Sequence, residues 1–197
     1  MKGRLGHLRV EVDYFGILTV TMMLLLDRSG SMGMALLACA LHEGGHALAV
    51  RLRSGRIRSI RLCPWGIRME TQPGPPSAVT RALVAAAGPM ANLLAAALFW
   101  RVHRSFAAME LGCGVFNLLP LEGMDGGDLL RIGLSLFLPP RAVEITEWAL
   151  TVVLGLTGAA FGVWAMCRMR NPTLLLAALY LVGFSIWKKV RGREFCS

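Results

Sequence analysis

Charge is scarce in this sequence, and negative charge is scarcer still. Asp, Glu, Lys and Arg make up 17% of 197 residues, 12 acidic against 21 basic, while 55% are hydrophobic and the mean hydropathy is +0.55. So little charge excludes a soluble domain with a large core and fits a polytopic membrane protein. Paired cysteines are missing as well. Cys39, Cys63, Cys113, Cys167 and Cys196 stand singly, with no C-x-x-C and no framework spacing, which excludes a disulfide scaffold and leaves mostly free thiols in or near lipid. There is no internal repeat, no low-complexity linker, and no small-residue cleavage site after the first apolar run, so that run is expected to stay as a span. The formal charge of +9 does not point to nucleic acid. The basic residues fall between the apolar runs, where the positive-inside rule puts them.

Against this background, His42-Glu43-Gly44-Gly45-His46 interrupts an apolar run over 32–50. The helical period sets His42 and His46 on one face a turn apart, where two imidazoles can hold one metal ion. Glu43 beside them can take a proton from water at that metal, which is why H-E-x-x-H on a helix reads as a zinc protease site. A single histidine would more often be a satisfied polar group inside a bundle. Three ionisable groups in one membrane-length apolar segment are costly to bury and point to function. Cys39, one turn before His42, and Cys113 either approach the metal or fill small apolar gaps.

In chain order, Lys2, Arg4 and Arg9 precede an alternating piece, 9–13, that is a strand or an interfacial segment. A short first span follows over 14–26, then the turn 27–31 and the motif helix over 32–52. The hydrophilic connection 51–81 holds seven arginines. Within it Ile60-Arg61-Leu62-Cys63 and Ile67-Arg68-Met69-Glu70 alternate around Pro64-Trp65-Gly66, which predicts a hairpin able to offer an edge to an extended peptide, or else an arginine-rich connector on the headgroups. A third span covers 82–100 and carries Gly88-Pro89 and Asn92 among alanines; Asn92 serves either packing or a site.

The mostly apolar stretch 106–138 would be about 50 Å long as one helix against a hydrocarbon core of about 30 Å, so it is expected to break. Proline, glycine and acids gather at Asn117-Leu118-Leu119-Pro120-Leu121-Glu122-Gly123-Met124-Asp125-Gly126-Gly127. Irregular backbone at that depth needs protein or a wet cavity around it, and such a cavity is where a third metal ligand belongs. Spans five and six cover 145–167 and 173–187. Six spans place both termini on one side, which receives fifteen Lys and Arg against five on the other; the bias predicts cytoplasmic termini with the metal motif nearer the cytoplasm.

With these motifs the chain resembles the site-2 proteases, zinc-dependent intramembrane metalloproteases. The resemblance rests on His42-Glu43-x-x-His46, Gly88-Pro89-x-x-Asn92, and Asn117-x-x-Pro120 followed by Asp125-Gly126-Gly127, and is nearest to the sporulation branch that processes a membrane-tethered sigma-factor precursor. It implies an all-α polytopic membrane protein of about six transmembrane helices, with a small membrane-associated β-hairpin and a broken helix carrying the third ligand. It implies His42, His46 and Asp125 as zinc ligands, Glu43 as general base and proton shuttle, and Asn117, with Asn92, as substrate-binding. One membrane protease domain over 1–197 is expected, with a core of 9–138, additional spans over 142–187 and no soluble nucleotide-binding CBS domain.

The expected partners are the bilayer and a membrane-associated protein substrate such as a sigma-factor precursor, with room for an inhibitory membrane partner or a homo-oligomer. Three features depart from the family pattern, one being that the sporulation branch often ends in a soluble CBS domain that is not expected here. Gly44-Gly45 stand where a bulky residue usually follows the glutamate, and Glu122 adds a charge that touches substrate or faces water. The competing expectation is a non-proteolytic metal-binding scaffold or a metal carrier. Intact His42, Glu43, His46 and Asp125 oppose the first. The lack of a polar path through spans five and six, beyond Glu144 and Glu147, opposes the second.

Overall fold

The structure, a computed structural model, describes residues 2–5, 8–12, 18, 20–22, 24, 25, 27, 30–53, 56–63, 66–72, 77–121, 123–169 and 183. About half of the run 14–26 and all of 173–187 but Gly183, expected as the first and last spans, lie outside the described residues, as does Glu122; the described residues of 14–26 are helical. The chain divides into two compact units, Met1–Leu118 and Leu119–Ser197.

Among the described residues, the first unit combines a sheet with three continuous helices, and residues 18, 20–22, 24 and 25 are helical as well. Strands β1 (Lys2–Leu5), β2 (Leu8–Val12), β3 (Arg56–Cys63) and β4 (Gly66–Gln72) lie in the order β1-β2-β3-β4. β3 and β4 pair antiparallel from Arg56 opposite Gln72 to Cys63 opposite Gly66, with an irregularity between Ile57 and Ser59. An all-α protein with one hairpin underestimates this sheet. β2 pairs parallel with β3, Val10 opposite Ile60, and β1 pairs antiparallel with β2. The physical reason is that an exposed β3 edge presents unpaired backbone groups, and the alternating piece near Arg9 satisfies them. Parallel neighbours need a long crossover, and helix α1 (Ser31–Leu52) lies within it.

Each helix start has a local cause. Gly30 precedes α1 with φ 71°, which glycine adopts without strain, and Asp27 Oδ2 accepts the Met32 N–H at 2.6 Å. Helix α2 (Ala78–Phe99) starts at Ser77, whose hydroxyl accepts the Thr80 N–H at 3.1 Å. His103 Nδ1 caps α3 (Arg104–Asn117) by accepting the Phe106 N–H at 3.2 Å. Apart from Val50 and Phe106, the buried positions of these helices are mostly small or polar, including Ala38, His42, Ala85, Gly88, Asn92, Ala95 and Ala107, whereas Leu41, Leu48, Leu94 and Leu98 are exposed. Such a distribution suits lipid, where small residues let helices approach and large apolar ones face the tails.

In the second unit, α4 (Asp125–Leu134) and α5 (Pro140–Met169) follow. The expected break in 106–138 falls between α3 and α4, helices of 14 and 10 residues, each shorter than the roughly 20 residues that cross a bilayer. Gly123 lies in the break with φ 95°. Asp125 and Asp128 occupy the first turn of α4 and complement its dipole. Arg131 clamps α4 to α5 with both Nε and Nη2 on the Glu147 carboxylate, at 2.7 Å for the shortest bond. Among the described residues, α1, α2 and α5 are the three helices long and apolar enough to cross a membrane.

Candidate metal centre

The first unit brings His42 and His46 together with residues 38 to 68 positions away in sequence. Because α1 turns once between them, their Nε2 atoms face each other at 3.2 Å, with the rings edge to face. His46 Nδ1 lies 2.8 Å from the Val84 carbonyl oxygen of α2 and has to donate to it. His42 Nδ1 lies 2.7 Å from Asn92 Oδ1 and donates likewise, because the Asn92 Nδ2 points the other way, to the Ala38 carbonyl oxygen at 3.0 Å and to Glu110 Oε2. With both protons on Nδ1, each Nε2 presents a lone pair toward the other. Two lone pairs in that relation repel unless a cation lies between them.

This donor set fits a metal. Two imidazole nitrogens at about 2.0–2.1 Å from one tetrahedral zinc would stand about 3.3 Å apart, close to the separation found. Hydrogen bonds from the remote ring nitrogens to oxygen acceptors are the usual means of orienting metal-binding histidines. Two glycines permit the arrangement. A methyl group on Gly88 would overlap His46 Nε2 and stand 2.8 Å from His42 Cε1, while one on Gly45 would stand 2.5 Å from the Ala87 carbonyl oxygen. Gly45 therefore lets α1 and α2 approach backbone to backbone, and Gly88 leaves room for the imidazoles. Gly44 faces open space, so only one of the two glycines after Glu43 is explained by packing.

The remaining expected residues are placed as follows. Glu43 is half-buried on α1 beside His42. Asn92 is fully buried behind His42, where its Oδ1 accepts from the histidine Nδ1. Asn117 ends α3 half-buried and turns its Nδ2 back to its own helix, to the Cys113 carbonyl oxygen at 3.0 Å and Sγ at 3.7 Å. Asp125 belongs to the second unit, half-buried at the first position of α4. Cys39 on α1 and Cys113 on α3 are free thiols. Sequence reasoning passed over Glu110. The available signal was an isolated acid in the apolar run of α3, which at membrane depth is functional by default.

Comparison with known proteins bears on this geometry. A family model described as Peptidase M50B-like matches residues 15–122, more than half of the chain, taking in every site residue named above except Asp125. Among solved structures, the site-2 protease from Methanocaldococcus jannaschii is similar at a TM-score of 0.61 and 20% identity, covering 100% of this chain and 98% of that one, a likeness of fold. No curated protein matches.

Proposed function

The chain belongs to the Peptidase M50B-like family of membrane metalloendopeptidases, and we propose that it hydrolyses a peptide bond of a membrane-associated protein near the cytoplasmic face, with zinc held by His42, His46 and Asp125. The observation that carries this reading is the facing pair of Nε2 atoms, each backed by an Nδ1–H donated to an oxygen. Asp125 supplies a hard anionic oxygen, a donor type that zinc accepts beside two imidazoles, and three protein ligands leave a fourth position open. A zinc ion held by these residues would lower the pKa of a bound water to about 7 and polarise a scissile carbonyl.

The chain's own residues supply the rest. Glu43 takes the proton from the attacking water and passes it to the departing amide nitrogen. Asn117 donates to the substrate backbone or to the oxygen on which charge develops, once its Nδ2 turns away from Cys113. Strand β4 stands at one end of the sheet order, and its outer edge offers main-chain groups to an unwound, extended substrate. The excess of Lys and Arg on the side of the 51–81 connection supports a cytoplasmic site, and the motif spacing supports a tethered regulator such as a sigma-factor precursor as substrate.

The test is zinc content and cleavage by the full chain in detergent. Wild type is expected to carry about one zinc per chain, with His46→Ala and Asp125→Ala losing it. Glu43→Gln is expected to keep the metal and lose cleavage by at least about 100-fold. Cleavage by Glu43→Gln at the wild-type rate would overturn the mechanism, and zinc undiminished in Asp125→Ala would remove the third ligand.

A further inference from the structure

Glu110 is the largest fully buried side chain among the described residues, and the hydrolysis above makes no use of it. It stands in the middle of α3, where an ionisable group is costly to bury. Its Oε2 accepts from Asn92 Nδ2, while Oε1 has no hydrogen-bond partner among the described residues. The bond joins α3 to α2, and Asn92 Oδ1 then joins α2 to His42 on α1. Three helices are thus linked through one asparagine.

An asparagine amide can face a histidine either way round, and the two orientations have opposite consequences. With Oδ1 toward His42, the ring proton stays on Nδ1 and Nε2 keeps its lone pair. Reversed, Nδ2 would donate to Nδ1, the ring proton would move to Nε2, and His42 could no longer bind a metal. What decides the orientation lies behind Asn92. Its far side meets the Ala38 carbonyl oxygen and the Glu110 carboxyl group, and reversal would press Oδ1 against both. We propose that Glu110 is a positioning residue of the metal centre: by accepting the Asn92 amide it holds His42 in the tautomer that binds metal. This rests on the reading of His42 as a ligand.

The test uses the full chain in detergent, with zinc affinity measured by competition against a chromophoric chelator and cobalt(II) as a visible probe of ligand geometry. Glu110→Met removes the acceptor, keeps the volume and suits an apolar surrounding. It is expected to weaken zinc binding about 10-fold and to alter the cobalt spectrum, whereas Glu110→Gln, which restores an acceptor oxygen, stays within about threefold of wild type with the native spectrum. Should Glu110→Met fail to fold, Glu110→Ala gives the same readouts on the fraction that elutes like wild type. Wild-type affinity and spectrum in the acceptor-less variant, or equal losses in Met and Gln, would overturn the proposal. His42→Ala separates the two readings. If it loses zinc while Glu110→Met does not, only the positioning role fails; if it binds zinc like wild type, the metal centre itself is wrong.

Discussion

Replacing Gly88 by alanine adds one methyl group at the narrowest point between α2 and the two histidines. That carbon would overlap His46 Nε2 and stand 2.7 Å from His46 Cε1 and 2.8 Å from His42 Cε1. Non-bonded carbons settle at about 3.5–4.0 Å, so both rings have to retreat by about 0.7 Å or more. Metal–ligand distances tolerate shifts of only about 0.2 Å, and a displacement several times larger should cost on the order of 100-fold or more in zinc affinity. The fold is expected to survive. Alanine favours a helix interior by about 1 kcal/mol over glycine, which offsets part of the 1–3 kcal/mol, roughly, of overpacking. The assay is zinc affinity beside thermal unfolding of the same preparation. Gly44→Ala is the control, since nothing lies within 4 Å of the added carbon; it should leave zinc binding unchanged and raise stability by up to about 1 kcal/mol. Zinc affinity of Gly88→Ala within threefold of wild type would refute the reasoning.

Three further outcomes follow from the same geometry. Arg131→Met leaves the Glu147 carboxylate buried without its cation and should destabilise the second unit by about 1–3 kcal/mol, less than a fully buried pair because the Arg131 side chain is 39% exposed. Adding Glu147→Leu should recover most of that loss in thermal unfolding, and equal losses in the single and double variants would show that the pair does not hold α4 to α5. Ser77→Ala removes the cap of α2 and should cost about 1 kcal/mol, visible as faster hydrogen exchange at the Thr80 amide; unchanged exchange there would remove the capping role. Stripping metal with a chelator should abolish cleavage and added zinc should restore it, whereas activity persisting in protein shown to be metal-free would contradict the metalloenzyme.

The reach of the sequence differs from residue to residue. His42, Glu43 and His46 were legible because one helical turn fixes their relation. The interruption between Asn117 and Asp125 was legible because Pro120 and Gly123 cannot continue a helix at low cost. The partners of the histidines were not, since Val84 and Asn92 stand on another helix and their contact depends on how closely α1 and α2 approach. Gly45 and Gly88 control that approach; Gly88 stands in the Gly88-Pro89-x-x-Asn92 motif, but nothing in the local sequence tells Gly45 apart from Gly44. The alternation near Arg9 hinted at a strand, but its pairing with β3 depends on the return of a crossover more than forty residues long. Glu110 was the residue a reader could have found, as a lone acid among apolar neighbours.

The chain of bonds from Glu110 through Asn92 to His42 touches α3, α2 and α1 in turn. A hydrolase loose in a membrane is a hazard to its neighbours while it is still being made. If Glu110 holds Asn92 as proposed, the metal-binding form of His42 depends on a contact with a helix that is synthesised some sixty residues later. On that reading the nascent protein would lack its full affinity for the ion until the third helix has docked, and a bundle that loosened at α3 would lose affinity before it lost its fold.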